Sequence, residues 1–387
     1  MMRRKVLIAR SIVYAILTSL PNGNPARKPS LLSKTFNLFR LFWLTFRLLR
    51  PDLFRALRGV WEIKEHDYRA SFGADSNDND DSISNRKKRR KNKKKDALQS
   101  VGDMGYSGST FFRTSDSAYL VKSVPRHFEH DFFKNELLLP YAEYMKNNPE
   151  SLLIRITDLL ERTHKSLGEL LGLAPSHHIV MENILYGQDR TPGDGPKQKL
   201  ESWDLKPTSF FYPERDVAGG ALATEATKSK LADEFDGKVK LTKARAAQFQ
   251  KILEKDTRLL ASNNVVDYSL FLVRISAADV SHSEAHPPLG TSQETEGPIS
   301  PTPPRCSPPN PPTWRMGIIS SNGREVYRAA ILDFFWAKHS LHAKVMTGLV
   351  RGYNLIDEQG PMSITAESDD YRERFLKMCM GFVEIDE

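Results

Sequence analysis

An α+β protein with two unequal lobes is the fold class the sequence predicts, and three observations lead to it. Short strand-like runs open the globular part of the chain, and helical periods dominate later. The 387 residues suffice for one large domain or for two lobes with a real core. Two stretches of unfoldable composition interrupt the chain. Hydrophobic residues make up 40% and charged residues 27%, too polar a balance for a multi-span membrane protein. The two cysteines include Cys306 in a proline-rich stretch, so a disulfide framework is excluded and a reducing compartment is expected.

The first block, 1–70, reads as a basic, amphipathic N-terminal segment. The formal charge is +8, and ten Lys or Arg precede the first acidic residue, Asp52. Such an excess points to anionic partners, either lipid headgroups or nucleic acid. Residues 6–20 are apolar but broken by Arg10, short of the ~20 residues a membrane-spanning helix needs. Arg3, Arg4 and Lys5 ahead of them imitate a signal or transit sequence, yet no small-x-small cleavage site follows closely. Within 36–50, Phe39, Phe42, Trp43, Phe46 and Leu49 recur at helical spacing, with Arg40 and Arg47 on another face. This spacing predicts a basic amphipathic helix, suited to a membrane surface or to the domain's own core.

Residues 71–100 should form no element. Asp75, Asp78, Asp80 and Asp81 precede nine Lys or Arg in the ten residues 86–95, and like charges at that density repel. The run has the composition of a plain tether, a nuclear address or an electrostatic membrane contact. The second such stretch, 281–313, holds ten of the 23 prolines and reads as an insertion looping out of a folded domain.

The remaining elements follow in order. Phe111-Phe112 and 118–124 read as two strands around a polar turn at 114–117. Residues 132–147 have a helical period that stops before Pro149. A short buried strand is expected at 178–181, a helix at 243–263 and a strand at 268–275. A strand at 329–335 and a closing helix at 369–383 complete the series.

Five places carry candidate chemistry. In Gly102-Asp-Met-Gly-Tyr-Ser-Gly-Ser-Thr110, Gly105 and Gly108 let the backbone approach a ligand, while Ser107, Ser109 and free amides can meet phosphate oxygens. A plain turn has the same composition, and the order is not that of a Walker A loop. Lys122 interrupts an apolar strand, where it must face either water or a fixed anion. Asp267 stands where a helix-to-strand loop meets an apolar strand, placed to accept a hydroxyl proton or to cap a turn. Asp333 is a single acid amid a buried apolar strand, which calls for a cation or several donors. Asp204 and Lys206 lie two apart on one strand face, as a site pair or a simple salt bridge.

Taken together, Ser107-Gly-Ser, Leu120-Val-Lys, Val180-Met-Glu-Asn183, Asp204-Leu-Lys206, Val266-Asp-Tyr-Ser-Leu270 and Ile331-Leu-Asp333 occur in the order of the phosphatidylinositol phosphate kinase family, which the chain resembles. Asn148-Pro149 with Ser151-Leu-Leu resembles the family's Asn-Pro-x-Ser/Thr-Leu-Leu. Tyr371-Arg-Glu-Arg-Phe375 resembles its closing Tyr-x-x-Arg-Phe. The resemblance runs from about Gly102 to the C-terminus without the insertion, and Asp-Tyr-Ser-Leu is its most specific piece.

The resemblance implies a two-lobed kinase-like fold, with an N-terminal lobe at 101–185 and a C-terminal lobe at 186–387. It implies ATP and Mg2+, with Gly105, Ser107, Gly108 and Ser109 over the phosphates and Lys122 paired to them. Met181, Glu182 and Asn183 would line the adenine side, Asp204 and Lys206 would sit near the phosphates, Asp267 would take the catalytic-loop position, and Asp333 would hold the metal. Two departures stand out. Pro207 replaces the glycine of the family's Asp-Leu-Lys-Gly-Ser, and the lysines after Asp333, Lys338 and Lys344, are separated rather than paired. The partner of Lys122 is open among Glu129, Asp131 and Glu136.

The expectation is an ATP-dependent lipid kinase acting on a phosphoinositide at an anionic, cytosolic membrane surface, with the 86–95 run as an alternative nuclear address. The rival is a catalytically weak kinase-like scaffold that binds phosphoinositide or nucleotide. Nucleic-acid binding is not expected, because no aromatic platform accompanies the basic run.

Overall fold

The computed structural model of the chain describes residues 2–18, 44–74, 97–103, 109–163, 175–187, 198–208, 235–277, 313–338, 364 and 366–386. In chain order the elements of the first lobe are α1 (Met2–Thr18), β1 (Phe46–Leu48), α2 (Pro51–Val60), α3 (Glu65–Ser71), β2 (Leu98–Asp103), β3 (Thr110–Thr114) and β4 (Tyr119–Ser123). Then come α4 (His127–Phe132), a π-helical turn (Phe133–Leu137), α5 (Leu138–Asn147), β5 (Ile156–Arg162) and β6 (His177–Glu182). The second lobe holds β7 (Gln198–Leu205), β8 (Val239–Thr242), α6 (Lys243–Ser262), β9 (Val265–Val266), β10 (Ser269–Ala277) and β11 (Ile318–Ile319). It closes with β12 (Glu325–Leu332), β13 (Trp336–Ala337), α7 (Ser368–Gly381) and β14 (Val383–Asp386).

Alternation builds the first sheet, whose strand order is β1-β5-β6-β4-β3-β2, antiparallel throughout. Because successive strand residues face opposite sides, Phe112, Val121, Leu160 and Val180 bury under α1 and α3. Their neighbours Phe111, Leu159, Ile179 and Met181 join the main core on the other face. Lys122, next to Val121, therefore points to the main-core side, where its ammonium lies 5.6 Å from the Phe111 ring centre. The second sheet is β11-β12-β10-β7, and the short pairs β13-β9 and β14-β8 complete the second lobe.

The lobes are joined through the Asn-Pro-Glu-Ser-Leu-Leu segment. The Ile331 amide donates to the Leu152 carbonyl at 2.7 Å, and the Ile154 amide donates to the Ile331 carbonyl at 3.1 Å. From α6, Asp256 accepts the Leu152 amide at 2.6 Å and the Tyr144 hydroxyl at 2.7 Å.

The N-terminal segment expected over 1–70 is not separate. Ile8, Ile12 and Ile16 of α1 recur at three-to-four spacing and are buried against the first sheet, so the stretch that imitates a targeting sequence is core. Among the described residues no helix is long and apolar enough to cross a membrane. The amphipathic helix expected at 36–50 is overturned at its end: Phe46–Leu48 is the edge strand β1, paired with Leu160–Arg162. Pairing satisfies its ladder while Phe46 packs edge-on against His178, 4.9 Å between ring centres, so tertiary context overrides the helical period. Phe39, Phe42 and Trp43 lie outside the described residues, as do the basic run 86–95 and nearly all of the insertion 281–313. The linker is also shorter than 71–100, since Phe72 is buried and Leu98 already opens β2. Arg58 of α2 anchors this region, paired with Asp158 at 3.2 Å and Glu65 at 2.8 Å.

Burial of Asp256 outweighs the hydrogen bonds from Tyr144, Ser151 and Leu152 and raises its carboxyl to about 6. The native state thus holds this proton more tightly than the unfolded chain does. The stability Asp256 contributes is full below the ordinary carboxylate pKa and is lost as pH rises through 6. In urea unfolding from pH 4 to 7, the wild-type stability minus that of Asp256→Asn should fall by about 3 kcal/mol across this window. Asp158, also raised to about 6 by burial, cancels in the difference. A flat difference would contradict the assignment.

Candidate active site

Antiparallel pairing brings the candidate residues to one end of the second sheet. β10 pairs with β7 (Leu270 opposite Leu205) and with β12 (Ser269 opposite Leu332). The end of β7, the start of β10 and the end of β12 are therefore side by side, which gathers Asp204 and Lys206, Asp267, and Asp333.

Both acids on the loops sit at corners. Asp267 lies between β9 and β10, Asp333 between β12 and β13, and β9 pairs with β13 (Val266 opposite Trp336) just as β10 pairs with β12. Each acid turns the chain from one ladder into the other in the left-handed region, with φ of +66° at Asp267 and +60° at Asp333. Aspartate is among the few side chains that tolerate this conformation. It also ends β12 at Leu332, short of the 329–335 strand expected. The Tyr371 hydroxyl donates to the Tyr268 carbonyl at 2.5 Å, and Tyr371 and Phe375 pack edge-on against the Tyr268 ring. The closing Tyr-x-x-Arg-Phe of the chain thus fixes the loop that carries Asp267.

Across the cleft, Lys122 of β4 forms an ion pair with Asp333. A second pair, Lys206 to Asp267, measures 3.0 Å. Burial alone would raise Asp333, but Lys122, Lys206 and Arg126 hold its carboxyl below the ordinary range. Burial works against the Lys206 charge too, and Asp267, Asp204 and Asp333 outweigh it and raise its ammonium. Asp204, one residue before the end of β7, is exposed. Desolvation and then the negative charge of Asp333 raise its carboxyl. Acidic charge here exceeds what the lysines neutralise. Asp333 and Asp204 are the carboxylates here that could hold a hard divalent cation such as Mg2+.

Lys122 makes its ion pair with Asp333, and its charge also acts to lower the carboxyl of Glu129. Glu129 of α4 is paired with Arg126 at 2.9 Å. Desolvation raises its carboxyl, Arg126 and Lys122 lower it, and Asp333 raises it, so it borders the Lys122–Asp333 pair. Asp131 instead faces His127 and His130, and Glu136 is exposed. Arg126, whose guanidinium also lies 5.7 Å from the Trp336 ring centre, is a site neighbour that motif reading missed. The Arg126/Glu129 spacing on the helix after the lysine strand was the available signal.

Met181, Glu182 and Asn183, expected on the adenine side, have other commitments. Met181 is buried in the core, and Glu182 forms an ion pair with Arg315 and accepts the Arg155 amide at 2.9 Å. The Asn183 side chain donates to the Ser117 carbonyl at 2.7 Å. The amides of Glu182 and Asn183 are also taken, by the carbonyls of Arg155 at 3.1 Å and Ala118 at 3.0 Å. Ser109 is buried at the start of β3, while Gly105, Ser107 and Gly108 lie outside the described residues. Lys338 pairs with Glu367, and Lys344 lies outside the described residues.

Comparison with known proteins places the chain beside phosphoinositide kinases. A phosphatidylinositol 4-phosphate 5-kinase of Plasmodium falciparum is 26% identical over 242 residues, 58% of this chain and 12% of that protein. A probable phosphatidylinositol phosphate kinase of Dictyostelium discoideum is 26% identical over 246 residues, 62% of this chain and 28% of that protein. The human phosphatidylinositol 4-phosphate 5-kinase type-1 beta is 27% identical over 228 residues, 59% and 35% of the two chains. The chain spans about a third or less of the length of these relatives. The sequence model of the family described as phosphatidylinositol-4-phosphate 5-kinase matches residues 92–381, which takes in both lobes and every group in the cleft, and the chain belongs to that family.

Proposed function

We propose that the protein transfers the γ-phosphate of ATP to a hydroxyl of a phosphorylated inositol headgroup. The observation that carries this reading is the double ion pair, Lys122–Asp333 and Lys206–Asp267, at the joint end of three strands. Phosphoryl transfer needs phosphate held by fixed cations, a divalent metal and one acid to orient the nucleophile. Lys122 would hold phosphate oxygens, Asp333 would exchange its lysine for the metal, and Asp267, paired with Lys206, would orient the inositol hydroxyl and accept its proton. ATP supplies the phosphoryl group. The family's lipid chemistry and the basic N-terminal region support a peripheral, cytosolic membrane location, where each basic residue near an anionic surface contributes about 1 kcal/mol.

A second reading, a scaffold that binds phosphoinositide or nucleotide without turnover, is favoured by Pro207. It is buried where the family has glycine, and it offers no amide to a phosphate. Labelled ATP with vesicles carrying each phosphoinositide decides between them. Wild type should label at least one lipid, Asp333→Asn should weaken Mg2+-dependent nucleotide binding, and Lys122→Met should abolish turnover in a folded protein. Vesicle binding with no labelled lipid of any kind selects the scaffold.

A further inference from the structure

Behind the cleft, on the first lobe, three imidazoles and a carboxylate meet at the junction of α4 with the β5–β6 ladder. Glu161 and His177 are directly opposite across β5 and β6, so their side chains share a face. α4 lies over that face and presents His130, whose ring stacks on His177 at 3.6 Å between centres. His127, one turn earlier, meets the His177 ring edge-on at 4.9 Å. One ligand atom from each of His130, Glu161 and His177 falls within 4.8 Å of the others.

We propose that His130, His177 and Glu161 bind a divalent transition-metal ion, zinc by preference, at a site separate from the catalytic cleft. Two imidazoles and one carboxylate are a recurrent zinc set, with the fourth position left to water or a further side chain. The hydrogen bonds around the site select the atoms. Asp131 contacts Nδ1 of His127 at 3.0 Å and Nδ1 of His130 at 3.4 Å. Ser176 Oγ contacts Nδ1 of His177 at 2.9 Å. Outer partners on one ring nitrogen orient the ring and leave the other to the metal. His130 Nε2 is buried without a hydrogen-bond partner, in a side chain with 1% exposure. An orphaned nitrogen of this kind costs free energy until a ligand meets it. Burial lowers both imidazoles, and His177 reaches about 3, so both rings are uncharged at neutral pH.

Two cations face the same carboxylate. Arg47 of β1 holds Glu161 Oε2 at 2.8 Å, and Lys134 of the π-helical turn holds Oε1 at 3.2 Å. A carboxylate has about four lone-pair sites, so Glu161 can keep these partners while it faces the metal. Ligand atoms on a tetrahedral zinc lie about 3.4 Å apart, so the metal would part and tilt the stacked His130 and His177 rings until their Nε2 lone pairs converge on it. The metal would pin α4 to the sheet, and with it Glu129, the residue beside His130 that borders Lys122.

The full chain, stripped with chelator and titrated with Co2+, tests this directly. Wild type should show one tetrahedral cobalt absorption band per chain, displaced by Zn2+, and a higher midpoint of thermal unfolding with Zn2+. His177→Gln and Glu161→Gln should each weaken binding at least tenfold, and Asp131→Asn should weaken it about 10- to 100-fold. His66→Gln, an exposed histidine elsewhere, should change nothing. If His177→Gln does not fold, Glu161→Gln decides, because that side chain is partly exposed and can be replaced without opening the core. Absence of the band in wild type, or an equal band and affinity in a folded Glu161→Gln, overturns the proposal and leaves a stacked pair of buried histidines.

Discussion

Replacing Asp267 by asparagine should lower lipid phosphorylation by about 10²–10⁴-fold while nucleotide affinity and the unfolding midpoint stay near wild type. The substitution is unusually clean here. Asparagine tolerates the left-handed backbone that Asp267 adopts at φ +66°, so the corner between β9 and β10 survives. What is lost is the negative charge that pairs with Lys206 and the capacity to accept a proton. Lys206 keeps Asp204 and Asp333 as electrostatic partners, which limits rearrangement. Turnover with Asp267→Asn within a few-fold of wild type would show that the proton leaves by another route.

The largest loss of stability is expected from Arg315→Met, about 3–5 kcal/mol in urea unfolding. Arg315 is buried and forms an ion pair with Glu182 of β6. Its guanidinium also donates to the carbonyls of Ser151 and Leu153, each at 2.5 Å. One side chain thus satisfies the end of the first sheet and the segment that joins the lobes. Methionine fills much of the volume but leaves a half-buried carboxylate and two inward carbonyls without this donor, and desolvated groups of that kind are costly. Glu182→Gln, which removes the charge but keeps an acceptor for the Arg155 amide, should cost less. A loss below about 1 kcal/mol for Arg315→Met would mean that water replaces the guanidinium.

The globular elements were legible because their signals are local. The 3.6-residue period of α6 and the apolar run around Lys122 reflect burial, and the turn at 114–117 reflects its polar composition. The left-handed corners at Asp267 and Asp333 were not legible, because an aspartate between two strands has the same composition whether φ is positive or negative. The edge strand β1 was hidden for a different reason. Phe46 continues an aromatic period of helical spacing, and only pairing with β5, more than a hundred residues later, makes it a strand. The candidate site residues were named through the order of their motifs. The actual wiring of the cleft, with Lys122 on Asp333, Lys206 on Asp267 and Glu129 nearby, depends on which strand ends are neighbours, and that is a property of the sheet.

The hydrogen bonds between Leu152–Ile154 and Ile331 carry a mechanical consequence. Enzymes with two lobes commonly swing about a pliable connection. Here a rigid swing would tear two backbone hydrogen bonds at the root of the cleft, beside the Asp256 and Arg315 anchors, at roughly 1–3 kcal/mol for each buried group left unmet. The joint therefore acts as a weld, and Asp333, two residues beyond Ile331, is mounted on it. The Lys122–Asp333 ion pair sits in front of this weld, so the acid of that pair is carried by the more firmly tied side of the cleft.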